Sequence, residues 1–491
     1  MSSEPRSDVT PDPVQRIAEE LPGYRAAPFE TLVLRDVAEC PCCGLYQKLG
    51  RIDDNRIASC SRCGQTLVRR NRSGPVSLPL AFCITSAALY LGVLFTSLMT
   101  LNLYGRERTV VLITGPLELF HEGWGPLSVL VGLATVFAPG AVIALMALIL
   151  LTARRPSLPR WAPALLKWYE RLRPWSMMEV YILGVLVAYT KLVDLAYVDV
   201  GPATYMIGAL MISMAATDQT LDSNLFWRHR RIMKTVTLPD GQSVPVRQIT
   251  PEDGALPPAT HMASCSFCGL VGVFPKPVSL TGVVAKCPRC GHQVRRRKPD
   301  SLNRTTALLL AALIFYVPAN LMPVMTVIKL GHGSGHTIMN GVVELWQADM
   351  IPLALLVLFA SITVPVAKIL GLSWMLIGIH WHSDRALVFR TRFYRVIELI
   401  GRWSMIDVFM ISILVAMVRF SNLASISANG GVVSFAAVVI ITIFAASAFD
   451  PRLMWDVAGK NGQVFSSSGK KSHPDAENQD AAEISREPAR A

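Results

Sequence analysis

Eight cysteines, in two groups far apart, are the residues whose type and spacing most directly imply chemistry. Cys40-x2-Cys43 is followed after 16 residues by Cys60-x2-Cys63, and Cys265-x2-Cys268 after 18 residues by Cys287-x2-Cys290. Each pair is closed by a glycine (Gly44, Gly64, Gly269 or Gly291), a residue that takes positive φ without a Cβ clash. Two such turns bring four thiolates around one point and can enclose a metal ion tetrahedrally. Zn2+, one per cluster, suits a closed four-sulfur site with no fifth ligand. A rubredoxin-type iron uses the same ligands and carries electrons; a dithiol redox pair or an empty degenerate site also shares the spacing. On the zinc reading the knuckles are small modules too slight to fold without metal, suited to docking or spacing. Cys42 reads as a spectator able to stand in for Cys43, and Cys83 as a small apolar residue.

The rest of the chain is greasy. Of its 491 residues 52% are hydrophobic and the mean hydropathy is +0.39, too high for an ordinary soluble protein. Apolar runs at 78–103, 127–151, 182–198, 203–217, 307–328, 351–379, 405–426 and 432–448 predict eight spans. Such a helix needs roughly 20 apolar residues to cross a bilayer. No secretory signal pattern precedes the first run, which is expected to act as its own insertion signal.

The net charge of +12 follows membrane topology and not nucleic-acid binding. Arg154, Arg155, Arg160, Lys167, Arg171 and Arg173 fall between spans 2 and 3; Arg228, Arg230, Arg231, Lys234 and 295–298 (RRRK) between spans 4 and 5. Arg385, Arg390, Arg392, Arg395 and Arg402 fall between spans 6 and 7, whereas the loops after spans 1 and 5 hold only Arg106, Arg108 and Lys329. The bias places both termini and both cysteine clusters on the cytoplasmic side, where thiols stay reduced.

The duplicated cysteine pattern belongs to a longer repeat. Residues 175–227 align without a gap on 403–455: WSMMEV on WSMIDV, Lys191 on Arg419, DSNLFW on DPRLMW. Earlier, Met99-Thr100 falls on Met325-Thr326, Glu118 on Glu344, Pro126 on Pro352 and Pro139 on Pro365. Four spans per half is an even number, so the halves are parallel repeats. The expected organisation is a polar tail (1–31), ribbon 1 (32–72), a four-helix unit (76–222), a linker (223–258), ribbon 2 (259–299), a second four-helix unit (304–452) and a disordered tail (459–491). The fold class is an all-α polytopic membrane protein with two small rubredoxin-like zinc ribbons.

Ionisable groups inside spans are costly and are candidate sites by default. Lys368 lies about 11 residues, or ~16 Å, from the cytoplasmic end of span 6. Asp407 enters span 7 from the same side, with Ser404 three residues earlier on the same face. Thr363 and Ser361 add hydroxyls on span 6. Pro318, Pro323 and Pro365 interrupt main-chain hydrogen bonds at membrane depth, with Asn320 between the first two, as is tolerated only where a cavity or protein covers them. The second half therefore reads as specialised and the first as scaffold. A lysine beside a carboxylate and hydroxyls is suited to a proton relay; the plain alternative makes Lys368 a packing residue and Asp407 and Glu179 interfacial ones. Lys191 and Arg419 read as snorkelling cations. PLELF and VVELW, around Glu118 and Glu344, predict short amphipathic helices on the outer surface. GHGSGH (331–336) reads as a flexible loop.

Tandem CxxCG…CxRCG ribbons, each followed by four spans, with NLMPVMTV, VPVAKIL, RWSMIDVF and a closing FDPRLMW, resemble the paraquat-inducible protein A family over about residues 32–456. The resemblance implies bacterial inner-membrane proteins that partner periplasmic MCE-domain proteins, move lipids between the two membranes and bind zinc. It makes the eight cysteines metal ligands and places Lys368, Ser404 and Asp407 in the family's polar motifs. The chain departs by its extra Cys42 and by a first half lacking the NLMP and VPxxK features. No Walker motif or hydrolytic constellation occurs, so a non-enzyme is expected: a lipid transport subunit whose cavity lies in the second unit. A redox membrane protein or a non-transporting anchor are the alternatives.

Overall fold

A computed structural model describes residues 31–50, 56–69, 76–103, 106–154, 159, 161–193, 197–221, 227, 232–238, 241–250, 256–274, 277–329, 332–401, 403–418 and 424–459. Both terminal tails, DSNLF of the first-half motif and Arg419 lie outside them. The chain opens on strand β1 (Thr31–Leu34), followed by two hairpins, β2 (Val37–Glu39) with β3 (Tyr46–Lys48) and β4 (Ile57–Ser59) with β5 (Thr66–Arg69). The cysteine knuckles form the hairpin turns.

The first membrane unit follows. It comprises α1 (Ser77–Phe95), β6 (Met99–Leu103), β7 (Arg106–Val110), α2 (Thr114–His121), α3 (Gly125–Ala153), α4 (Ala162–Leu172), α5 (Met178–Val193), β8 (Tyr197–Val200) and α6 (Pro202–Thr220). Two strands of the linker, β9 (Thr235–Thr237) and β10 (Ser243–Ile249), lead to ribbon 2, with β11 (Met262–Ser264), β12 (Val271–Val273), β13 (Val283–Lys286) and β14 (Gln293–Arg295). The second unit repeats the first: α7 (Ser301–Leu321), β15 (Met325–Lys329), β16 (His332–His336), α8 (Ile338–Gln347), α9 (Ile351–His380), α10 (Leu387–Ile400), α11 (Ile406–Met417), β17 (Ala424–Ala428), α12 (Gly430–Ala448) and the short α13 (Leu453–Val457).

Seven helical stretches among the described residues are long and apolar enough to cross a membrane: α1, α3, α4–α5, α7, α9, α10–α11 and α12. The eighth expected span, α6, has 19 residues but is less apolar. It pairs with α1, Ser213 bonding Ser86 at 3.0 Å.

The all-α expectation fails at the end of each unit away from the ribbons. The first run ends as a helix at Phe95 and not at 103, and the fifth at Leu321 and not at 328. Met99–Leu103 and Met325–Lys329 are instead the central strands of two three-stranded antiparallel sheets, β7-β6-β8 and β16-β15-β17. MTLNL places polar residues at alternate positions, the period of a strand, and MTVIK carries the β-branched Thr326, Val327 and Ile328 that favour one. His332–His336 of GHGSGH form a paired strand and not a loop, His336 standing opposite Met325. The amphipathic helices around Glu118 and Glu344 are present as α2 and α8, each tied to its sheet by an ion pair, Arg108–Glu118 at 2.5 Å and His336–Glu344 at 2.6 Å.

Prolines 139 and 365 do not break their helices. A five-residue π turn precedes each, Leu133–Phe137 and Phe359–Thr363, and widens the helix where the proline ring crowds the preceding turn. Pro318 lies inside α7, while Pro323 falls beyond its end.

The halves interlock. All 12 residues of α11 are buried, as a helix apolar all round must be. It packs on its repeat-mate α5 so closely that a Cβ on Gly184 would lie 3.0 Å from Phe409 Cβ; Tyr181 meets the Phe409 ring edge-on at 5.7 Å. The repeat-mates α2 and α8 also cross to the other half. A Cβ on Gly115 of α2 would meet Ser412 of α11 at 2.6 Å, and one on Gly341 of α8 would lie 3.5 Å from Lys191 of α5. Equivalent helices meeting each other place a pseudo-twofold axis between α5 and α11.

Candidate functional site

The four knuckles share one backbone geometry. Glycines 44, 64, 269 and 291 have φ between 69° and 76°, so a side chain at any of them would be strained. Each donates its N–H to the carbonyl of the first cysteine of its knuckle, at 2.8–2.9 Å. The sulfurs of Cys40, Cys43, Cys60 and Cys63 lie within 4.8 Å of one another, as do those of Cys265, Cys268, Cys287 and Cys290. Cys40 and Cys63 stand 3.5 Å apart, Cys43 and Cys60 3.5 Å, and Cys268 and Cys287 3.4 Å. A tetrahedral ion with metal–sulfur bonds of about 2.3 Å needs edges near 3.8 Å, so both clusters fit a four-coordinate metal ion.

Both ribbons touch both membrane units. Ribbon 1 sits on the second unit: Arg395 of α10 donates to the Cys63 carbonyl at 2.6 Å and to Gln65 at 3.0 Å. Its Arg62 lies 4.6 Å over the ring of Trp455, which closes the second unit. Ribbon 2 packs on Trp227, at the end of the first unit, its Phe267 meeting that ring at 5.4 Å. Strand β1 pairs with β12 of ribbon 2 (Leu32↔Val273) and in parallel with β10 (Thr31↔Val246). The span expected to be a linker thus supplies part of a five-stranded sheet.

A buried charge network locks this arrangement. Arg297 of ribbon 2 bonds Glu39 of ribbon 1 at 3.0 Å and Asp456 of α13 at 2.5 Å. Arg452 bonds Glu39 at 3.2 Å and Asp450 at 3.0 Å, Ser264 donates to Glu39, and Tyr46 donates to the Met262 carbonyl at 3.2 Å. These residues are the D, R and D of the FDPRLMWD segment (449–456). Burial pushes the Asp450 carboxyl up, but Arg452 and the Lys298 N–H outweigh it and hold it below its ordinary value. A depressed carboxyl stabilises the fold above the carboxylate range, and that contribution is lost as pH falls through it, below about pH 4. Arg297→Ala leaves the Asp456 carboxylate without its guanidinium and Glu39 with Arg452 alone, and is expected to cost about 3–5 kcal/mol, read as a lower thermal unfolding midpoint.

Within the membrane units, Lys368 is 1% exposed and donates from Nζ to the Gly401 carbonyl at 2.7 Å and to Thr442 at 3.3 Å. Ser404 is also buried, its hydroxyl 3.5 Å from the same carbonyl. Gly401 permits this: a Cβ there would stand 2.7 Å from Lys368 Cε. Asp407 does not join them. Both its carboxylate oxygens are buried without a hydrogen bond, beside the equally unbonded Ser361 hydroxyl. Asp407 shares a small space of about 20 Å3 with Lys191 of the first half, the residue read as a snorkelling cation. Ser361 and Lys368 are two turns apart on α9, and Ser404 and Asp407 one turn apart at the start of α11. The two polar groups therefore lie along one seam without an ion pair between Lys368 and Asp407. Pro365 is buried below the π turn. Thr363 is exposed, and Asn320, half-buried, bonds its own helix at Tyr316; neither reaches the seam. Gly401 and Thr442 escaped sequence reasoning, although Gly401 closes α10 just ahead of WSMID.

Beside Lys368 opens a cavity of about 530 Å3. It lies between the two units and not inside the second: Ser86, Met146 and Met214 line it from the first half, Ile397, Gly401 and Ile443 from the second. Its walls are largely apolar, with charged residues where α4, α5 and α10 meet on the ribbon side.

Two cysteine clusters able to hold a metal ion, on interlocked bundles of apolar helices, define a multi-pass membrane protein. The family model described as "Paraquat-inducible protein A" matches residues 76–231 and 302–458, the two repeats found above. The chain belongs to that family. It is 31% identical over 419 residues to the intermembrane transport protein PqiA of Escherichia coli strain K12, covering 85% of this chain and 95% of that one. It is 28% identical over 443 residues to the lipophilic envelope-spanning tunnel protein A of the same strain, covering 90% and 94%. A probable intermembrane transport protein of Haemophilus influenzae is 24% identical over 437 residues, covering 88% and 97%. No solved structure matches.

Proposed function

We propose that this chain is the inner-membrane subunit of a lipid transport system, passing phospholipid-like molecules between the inner membrane and a periplasmic MCE-domain tunnel. In this reading α6 is the eighth span, both termini and both ribbons are cytoplasmic, each ribbon holds zinc, and the chain catalyses no covalent step. The observation that carries the proposal is the cavity of about 530 Å3 between the units, apolar in its walls and charged on one side, with Lys368 on its lining. Sites for amphiphilic ligands are mostly apolar, with a few placed polar groups. The names of the relatives, an intermembrane transporter and an envelope-spanning tunnel protein, support movement across the envelope.

Alternate protonation along the seam, with Lys368, Ser404 and Thr442 at one end and Asp407, Ser361 and Lys191 at the other, would gate the cavity. An ammonium held only by a carbonyl and a hydroxyl, and a carboxylate with no bond at all, are each costly enough to make their charge states switchable.

Met146→Trp fills the cavity with a ring while leaving the seam untouched. Lipid transfer between donor and acceptor vesicles by the reconstituted full chain with its partner is expected to fall about tenfold or more. Unchanged transfer, with normal insertion and metal content, would remove the cavity from the proposal.

A further inference from the structure

Four carboxylates line the cavity (Glu170, Glu179, Asp218 and Glu398) against two cations, Arg173 and Lys368. One carboxylate and one cation neutralise each other: Arg173 bonds Asp218 at 2.5 Å, and Tyr169 holds the other oxygen of that carboxylate at 2.9 Å. That leaves three glutamates and one lysine. Glu170, Glu179 and Glu398 are exposed, come from both halves (α4, α5 and α10), and enter no ion pair among the described residues. Lys368, deeper and buried, has three protons, of which Gly401 and Thr442 take two. The exposed glutamates thus stand outside the buried Lys368, and Val142, Met146 and Ile443 add apolar lining.

A phospholipid with an amine headgroup carries the complementary order: ammonium outermost, phosphate next, acyl chains beyond. We propose that this cavity selects zwitterionic amine-headgroup lipids, the ammonium facing Glu170, Glu179 and Glu398 and the phosphate accepting the free Lys368 proton. The inference rests on the cavity being the lipid site. A lipid whose headgroup ends in a neutral glycerol leaves the glutamates without a cation and adds its net negative charge to a net negative lining, so it is disfavoured.

The test measures lipid bound by the purified full chain offered mixed micelles of ethanolamine-headgroup and glycerol-headgroup phospholipids with identical acyl chains. The unmodified protein is expected to favour the ethanolamine lipid by about tenfold, three partly exposed ion pairs each contributing a small factor. E170Q/E179Q/E398Q is expected to bring that ratio near one. E398Q alone, a near-isosteric change on α10, should lower the ratio part of the way. A ratio unaltered by the triple substitution, or a preference for the glycerol lipid, overturns the inference and leaves the cavity as a lipid site. Failure to bind either lipid overturns the cavity reading as well. Retention of ethanolamine by the cavity without any acyl chain would assign the rim to a soluble amine and would also overturn the proposal.

Discussion

Vesicles carrying Lys368→Met should pass lipid about 5- to 150-fold more slowly than those carrying the unaltered chain, the range that a coupling of 1–3 kcal/mol spans. Methionine keeps the length and apolar stem of the lysine, so packing on α9 is preserved while the charge and both hydrogen bonds are lost. Thr442 and the Gly401 carbonyl then lose their donor but stay close to each other. Gly401→Val should reproduce the defect without touching the lysine itself, because a Cβ at 401 lies 2.7 Å from Lys368 Cε and must displace it. Arg→Lys or Glu→Gln exchanges elsewhere on the ribbon face should leave the rate close to normal. Equal rates for Lys368→Met and the unaltered protein, at equal insertion, would confine this residue to a packing role.

Removing one metal should affect the half of the molecule to which its ribbon is docked. Cys60→Ala together with Cys63→Ala leaves ribbon 1 with two thiolates, too few to close a site, and removes most of the binding free energy, about 10–16 kcal/mol for a structural zinc. Metal analysis is expected to fall from two atoms per chain to one. Because Arg395 of α10 grips the Cys63 carbonyl and Trp455 stacks under Arg62, the second unit should loosen, and trypsin should reach Arg392 and Arg395. The equivalent change at Cys287 and Cys290 should instead free the Trp227 side of the first unit. Loosening confined to the first unit after loss of the ribbon 1 metal would contradict the docking of that ribbon on the second unit. Iron in place of zinc in the unaltered protein would favour an electron-carrying role.

Much of this was legible in the residues. Fixed Cys-x2-Cys spacing and trailing glycines are local signals, and local geometry decides them, so both clusters and all four positive φ values are as expected. Long apolar runs and the offset of 228 between WSMMEV and WSMIDV likewise report the helices and the duplication. What was missed is tertiary. MTLNL and MTVIK were absorbed into the preceding apolar runs, although the alternation of the first and the β-branched run of the second mark strands. Nothing in Glu39, Arg297 and Asp456, hundreds of positions apart, announces that they meet. Docking of ribbon 1 on the second unit, the placing of Lys191 and not Lys368 beside Asp407, and a cavity between the halves all accompany the packing of α5 on α11. That contact depends on the single small residue Gly184. Placing the specialised chemistry wholly in the second half failed for the same reason: the first half supplies most of one cavity wall and the lysine beside Asp407.

The central claim is that lipid occupies the space between the units. A photo-activatable residue in place of Met214, which lines that space, tests it in native membranes. Illumination followed by mass analysis of the intact chain is expected to yield an adduct of one phospholipid per chain, abolished by Met146→Trp. Adducts of water alone, with the same probe on the exposed Leu313 capturing bulk lipid normally, would contradict the account.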